Sequence, residues 1–139
     1  NSTLSGKSSV GGVVGLIEGG EVSNSYSIGS IDGNSEVGGL AGTNNDGEIS
    51  KSFAAGDISG SSDVGGLTGV NGGTLSSTVW DTEASSQSSG VGRGDAAGTT
   101  GLTTSEMQGN SAEENMDGFD FQNTWRVVMG DYPALQWEE

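Results

Sequence analysis

The chain has 139 residues and a net charge of −15, from 19 acidic and 4 basic side chains, and it contains neither cysteine nor histidine. These absences exclude disulfides, thiolate metal sites and catalysis by a cysteine or a Ser-His-Asp triad. The shortage of basic side chains argues against nucleic-acid binding, and no apolar run approaches the roughly 18 residues that direct membrane insertion requires. The dispersed acids either keep the protein in solution or indicate a high-salt habitat.

A 27-residue repeat organises the first part of the chain, and its clearest mark is Val-Gly-Gly-(Val/Leu)-x-Gly at residues 10–15, 37–42 and 64–69. A fixed period of roughly 20–50 residues indicates a solenoid. We therefore predict an all-β parallel β-helix or β-solenoid of about three 27-residue coils with a C-terminal capping segment. The predicted solenoid covers residues 1–79, with the end of a preceding coil at 1–9 and coils at 10–36, 37–63 and 64–79; a loop and capping segment follow at 80–139.

Within each coil, three short strand segments alternate with turns. Val37 and Leu40 hold valine or leucine in every coil, so we expect both side chains to point inward. Their spacing of three breaks strand alternation, and a bend at Gly38 and Gly39 would reconcile it. The next position, which we expect to face outward, is occupied by Val14, Ala41 and Thr68.

The second segment carries an aromatic position, Tyr26 and Phe53. The third coil is one residue shorter in its preceding turn, so a gap aligns Val79, rather than Trp80, with these two residues. The pattern does not decide whether the aromatic side chains stack inside the solenoid or along its outer wall.

The repeating units resemble the GLUG repeat of secreted and surface proteins of bacteria and archaea. The resemblance rests on residues 37–42, 47–53 and 56–60 and extends over about residues 4–79. Residues 80–83, 101–107 and 125–137 are similar to the segment that often closes such arrays. The resemblance implies a β-solenoid at the cell surface with a structural or adhesive role. Because the repeat has no catalytic residues, it implies no enzyme activity.

The tail begins with a Ser/Gly-rich stretch, residues 84–98, which we expect to be a long exposed loop. Two capping-box patterns, Thr103 with Glu106 and Ser111 with Glu114, predict short helical turns between residues 103 and 117. We predict that residues 119–137 fold over the end of the solenoid and bury Trp125. An aromatic platform for sugar is the alternative. The apolar side chains concerned are Phe119, Phe121, Trp125, Leu135 and Trp137.

Metal sites are poorly supported. Residues 113–118 resemble the first half of an EF-hand loop, but Thr124 stands where the twelfth-position acid is needed. Turn acids could hold calcium but more often hold nothing at a solvated face; these are Asp32, Asp46 and Asp63. We therefore predict no catalytic, cofactor-binding or metal-binding residues, with calcium as the one cofactor that stays open.

Three function classes follow. The first is a non-catalytic structural or adhesive module of an extracellular surface protein, with other surface proteins, a host surface or glycans as partners. The second is a self-assembling surface filament, coat or viral fibre subunit that associates through open solenoid ends. The third, a carbohydrate-active β-helix enzyme, is disfavoured because the chain has only four basic residues to line a groove.

Overall fold

A computed structural model describes residues 3–5, 8–116 and 118–136. Short strands recur at the 27-residue interval and lie in successive layers. The first layer contains β1 (Thr3–Ser5), β2 (Ser8–Gly11), β3 (Val14–Glu18), β4 (Glu21–Ser23) and β5 (Tyr26–Ser27); the second contains β6 (Ser30–Asp32), β7 (Ser35–Gly38), β8 (Ala41–Asn45) and β9 (Glu48–Ala54). The third contains β10 (Ile58–Ser59), β11 (Ser62–Gly65), β12 (Thr68–Asn71) and β13 (Thr74–Asp81), and a partial fourth contains β14 (Val91–Gly94) and β15 (Thr99–Leu102).

Each strand pairs in parallel with its equivalent in the next layer, which gives four sheets with the orders β1-β6-β10, β2-β7-β11, β3-β8-β12-β14 and β4-β9-β13-β15. Val37 pairs with Val10 on one side and Val64 on the other, so the sequence repeat is also the structural register. Val79 pairs with Phe53, as the one-residue gap predicted. The predicted all-β parallel solenoid of about three coils is confirmed.

A coil has four strand segments rather than the three predicted; in the first layer the fourth segment is divided into β4 and β5, which both pair with β9. The predicted bend lies where β7 ends at Gly38 and β8 begins at Ala41, so the first segment is two strands. A side chain on Gly39 would overlap the carbonyl oxygen of Gly66 in the next layer. The bend therefore requires glycine because the layers approach too closely for a Cβ atom.

The prediction that Ala41 and Thr68 face outward is wrong. Ala41 is 1% exposed and Thr68 is fully buried. The bend turns the chain just before this position, so Leu40 and Ala41 both contribute to one interior cluster although they are consecutive. Strand alternation cannot be counted across such a bend.

A second departure from alternation settles where the aromatic residues lie. Lys51 has a φ of +49°, in the left-handed region, and its equivalents Asn24 and Ser77 have φ values of +48° and +49°. Ile49 and Ala54 on either side belong to the interior cluster, whereas Phe53 belongs to a separate cluster on the outer wall. The left-handed residue thus turns Phe53 out of the interior.

The stacking continues beyond the predicted solenoid end. Residues 79 and 80, where the two regions were divided, both lie inside β13. Within the stretch predicted to be an exposed loop, β14 pairs with β12. Just after that stretch, β15 pairs with β13. The loop prediction is therefore wrong for Val91–Gly94, because these residues form one of the two strands of the fourth layer.

Helical turns follow the fourth layer. In the 3₁₀ helix Ser105–Met107, the backbone N–H of Thr103 donates to Glu106 Oε1 over 2.9 Å, and that of Glu106 donates to Thr103 Oγ1 over 3.4 Å. The first capping box is confirmed, and its backbone hydrogen bond lowers the pKa of Glu106. The second is wrong: helix α1 (Asn110–Asn115) begins after Gly109 without a side-chain cap. The chain ends in an antiparallel pair, β16 (Trp125–Arg126) and β17 (Ala134–Leu135).

Candidate functional site

Polar groups do not converge on a metal-like site in the described part of the chain, where no group of three or more acidic side chains is placed to share a metal ion. Of the EF-hand-like residues, Glu113 and Asn115 lie in α1, and Asp117 lies outside the described residues. Of the turn acids, Asp32 accepts a hydrogen bond from Ser59, and Asp63 lies 3.8 Å from the Arg93 guanidinium.

No helix within the described ranges is long and apolar enough to span a membrane.

The outer wall carries a stacked aromatic column. The rings of Tyr26 and Phe53, in neighbouring layers, are 5.1 Å apart and inclined by only 9°. Trp125 covers both, with centroids 5.9 Å from Tyr26 and 5.5 Å from Phe53, and Phe119 packs 5.1 Å from Trp125. Such tilted contacts add to the stabilisation that burial provides.

Trp125 is fully buried, as predicted, but the expected placement over the solenoid end is wrong. Trp125 contacts the first and second layers, and its cluster also includes Val79 from the third and Leu102 from the fourth. The C-terminal segment, which we define as residues 103–136, therefore runs along the side of the solenoid. Because no face of Trp125 is open, it cannot serve as the sugar platform; Trp137 lies outside the described residues.

Trp80 fills the interior of the last layers. It pairs in register with Ala54 and is 7% exposed, and its Nε1 donates to the carbonyl of Gln87 over 2.9 Å. A Cβ atom at Gly90 or Gly101 would lie 2.9 Å or 2.8 Å from the indole ring. Sequence reasoning aligned Trp80 correctly but missed this role. The sequence feature that could have indicated this role is a tryptophan at a position that holds alanine in the preceding layer.

Asp81 ties the last full layer to the C-terminal segment. This fully buried carboxylate accepts hydrogen bonds from the backbone of Glu83 (2.8 Å) and Ala84 (2.9 Å) at Oδ1. At Oδ2 it accepts from the hydroxyls of Thr104 (2.7 Å) and Tyr132 (2.6 Å). Burial, and then this bond to Asp81, raises the pKa of Tyr132. Four hydrogen bonds satisfy the buried charge, and sequence reasoning did not identify it.

A cleft of about 210 Å³ lies at the edge of this contact, between Tyr26 and Ile28 of the solenoid and part of the C-terminal segment. Tyr26 lines one wall, Tyr132 and Pro133 line the other, and Arg126 and Asp131 add charged groups of opposite sign. The lining therefore mixes aromatic and aliphatic side chains with charged ones.

Comparison with known proteins places the repeats in a family. Residues 1–32 and 33–59 match the family described as the GLUG motif. Over 69 residues the chain is 42% identical to a protein named halomucin from Haloquadratum walsbyi (strain DSM 16790 / HBSQ001), an alignment that covers 45% of this chain. The same alignment covers 1% of halomucin, so the chain spans a very small part of that relative. No solved structure matches the chain.

Together the two matched units cover the first two layers of the solenoid, whose equivalent residues pair in register. The predicted resemblance is confirmed: residues 1–32 and 33–59 match the GLUG motif, and the described part of the chain folds as a parallel β-solenoid.

Proposed function

We propose that the chain is a non-catalytic structural module of an extracellular surface protein. The observation that carries this proposal is the use of its buried polar groups. Asp81 is the only buried acidic residue in the described part of the chain. It accepts four hydrogen bonds, all from groups of the chain itself, and these stabilise the fold. Asn44 likewise binds the backbone of Gly47 and the side chain of Asn71.

The relative supports an extracellular, salt-adapted setting. The name halomucin indicates a mucin-like protein of a salt-adapted organism. The charge of this chain agrees, because 19 acids against 4 bases make a surface whose self-repulsion salt relieves. A stack of short strands is also an economical spacer, since each added coil extends it by about 4.8 Å.

Immunolabelling of cells that make the protein tests the location. An antibody against the folded chain should label intact cells as strongly as permeabilised ones. An antibody against a cytoplasmic protein of the same cells should label only permeabilised ones, which controls for leakage. Labelling of the chain only after permeabilisation would contradict the proposal.

The adhesive role is the finer part of the proposal, and the cleft between Tyr26 and Tyr132 favours it. Tyr26 and Tyr132, both half-buried, contribute apolar ring atoms to the cleft, while Arg126 and Asp131 bring a donor and an acceptor for hydroxyl groups. The Tyr132 ring is held in place by its bond to Asp81. The structural role does not depend on this cleft.

Nuclear magnetic resonance titration with neutral and carboxylated oligosaccharides tests the cleft. We expect resonance shifts confined to the cleft residues, and Arg126→Ala should weaken them. Arg93→Ala is the matched control, because it removes an exposed guanidinium on a different sheet that pairs with Asp63. Shifts that are absent for every sugar, or unchanged by Arg126→Ala, would remove the adhesive part of the proposal.

A further inference from the structure

Strand β15, in the partial fourth layer, has one side without a strand partner. Among the described strands it pairs with β13 alone. We call its other side, which faces away from β13, the upper edge. The chain continues from β15 into the C-terminal segment, which runs along the side of the layers, so this edge lies within the sequence. An unpaired strand side presents backbone N–H and C=O groups that can bind another strand.

The hydrogen bonds to β13 show which backbone groups belong to the upper edge. The carbonyl of Gly98 accepts from the backbone N–H of Thr78 over 3.1 Å, so Gly98 faces β13. Successive residues of a strand direct their backbone groups to opposite sides. Thr100 therefore also faces β13, whereas the N–H and C=O groups of Thr99 and Gly101 point away from it and form the upper edge.

The upper edge lacks the features that usually protect such a strand. Natural proteins place charged residues or proline on exposed edges, and the sequence of β15, Thr-Thr-Gly-Leu, has neither. The surrounding stretch is also neutral. Residues 84–105 carry only Arg93 and Asp95, which are of opposite sign, in a chain whose net charge is −15. A second copy can therefore approach here against less electrostatic repulsion than the rest of the chain would impose.

We infer that the upper edge binds the upper edge of a second copy, as an antiparallel pair of β15 strands related by a twofold axis. Thr99 then lies opposite Gly101 of the second copy, and the axis generates the reverse pair. About four backbone hydrogen bonds can form in this register. Thr100 meets its own equivalent on the axis, and opposed threonines are a favourable cross-strand pair. The edge is thus complementary to itself, as a twofold interface requires.

The association should be weak and strengthened by salt. Stable protein interfaces bury about 1,200–2,000 Å² in total, and a pair of four-residue strands offers little of that area. Salt screens the remaining repulsion between two copies of an acidic chain. We therefore expect dimers at high protein concentration in molar salt and mainly single chains in dilute solution.

Sedimentation and amide hydrogen exchange in molar salt test the inference together. The mean mass should rise from 13.9 kDa towards twice that value as protein concentration increases from about 0.01 mM to about 1 mM. Exchange at Thr99 and Gly101 should slow by about tenfold when about nine-tenths of the copies are paired, because it then proceeds from the unpaired ones. The N–H of Thr100 already faces β13 and should change little.

Variants of β15 locate the interface. Thr100→Glu, at an exposed position, sets two carboxylates opposite each other on the axis and should weaken association by at least about tenfold. Ser30→Glu is the matched control. It adds the same charge at an exposed position of β6, a strand paired on both sides, and should leave association nearly unchanged. Thr99→Pro removes one N–H donor at the first residue of β15, where proline is tolerated, and should weaken association without a change in charge.

A mass that stays at 13.9 kDa up to about 1 mM would overturn the inference. Association that leaves exchange at Thr99 and Gly101 unchanged, or that Thr100→Glu does not weaken, would also overturn it, because another surface would then form the interface. A mass that grows well beyond that of a dimer would exclude the twofold arrangement, in which one partner occupies the whole edge.

Discussion

The repeated layers and the C-terminal segment are stabilised in different ways. In the layers, equivalent positions stack, so Val10, Val37 and Val64 form one column and each supports its neighbours. In the C-terminal segment the main contacts occur once: one indole covers the aromatic column, and one carboxylate holds Tyr132. When one residue of a column is replaced, its equivalents in the neighbouring layers still pack there. When one of the unique contacts is lost, the C-terminal segment loses its attachment to the solenoid. Single substitutions should therefore be most damaging at the unique contacts.

The largest effect is expected at Trp125. Trp125→Ala should lower the free energy of unfolding by about 3–5 kcal/mol, the range for a large buried aromatic residue. Trp125→Phe should cost less, because it keeps an aromatic ring and removes a buried Nε1–H that has no hydrogen-bond partner. Met129→Ala, at a 74% exposed position in the same segment, should change little. Urea unfolding measures all three, and an unchanged midpoint for Trp125→Ala would contradict the role given to this segment.

The next effect concerns the Tyr132 hydroxyl. Tyr132→Phe should cost about 1.5–3 kcal/mol, because it removes a hydrogen bond to a buried charge. The raised pKa of Tyr132 also makes stability depend on alkaline pH. Since folding favours the protonated phenol, its contribution is complete below about pH 10, the unfolded pKa, and is lost as pH rises above it.

The chain has two tyrosines, and melting curves between about pH 8 and pH 11 distinguish their contributions to the alkaline loss of stability. The wild type and Tyr26→Phe should both lose stability above about pH 10, because both keep the bond between Tyr132 and Asp81. Tyr132→Phe should lack that component. An alkaline loss of equal size in Tyr132→Phe would show that the bond to Asp81 does not cause it.

A smaller effect is expected inside the layers. Asn44→Ala removes the donor to Asn71 and the partner of the Gly47 N–H, and should cost about 1–3 kcal/mol. Asn45→Ala, at the exposed neighbouring position, is the control and should be nearly neutral. A cost for Asn44→Ala that exceeds that of Trp125→Ala would reverse the comparison between the two regions.

The register of the layers could be predicted from the sequence because it depends on identical residues at a constant interval. The fourth layer could not, because that interval changes. Thr68 pairs with Val91, 23 residues on, and Thr78 pairs with Thr99, 21 residues on, so a 27-residue comparison does not align them.

The outer position of Phe53 was also beyond the pattern, because it depends on the left-handed conformation of Lys51. Lysine rarely adopts this conformation, so the presence of a lysine at position 51 does not predict the turn in the strand. Asp81 was missed for a different reason. Two of its partners, Thr104 and Tyr132, lie 23 and 51 residues away, and only the folded path of the C-terminal segment brings them together.

The smallest expected effect per site concerns salt. In-register stacking places Glu21 beside Glu48 on adjacent strands, where like charges repel. Thermal stability should rise from about 0.05 M to about 3 M NaCl as screening increases. Glu48→Gln should raise the melting temperature in dilute buffer and have less effect in molar salt. A melting temperature that is flat or falls with salt would contradict both the repulsion between these carboxylates and the proposed salt-adapted setting.

Cysteine cross-linking tests the layered register most directly, because the chain contains no cysteine of its own. Thr43 and Val70 are register partners in adjacent layers, with Cα atoms about 4.8 Å apart, which suits a disulfide. The double variant Thr43→Cys, Val70→Cys should oxidise to an intramolecular disulfide while folded. The pair Thr43→Cys, Arg93→Cys spans two layers, roughly twice that distance, and should stay reduced. The opposite result, with the second pair joined and the first reduced, would contradict the stacked solenoid.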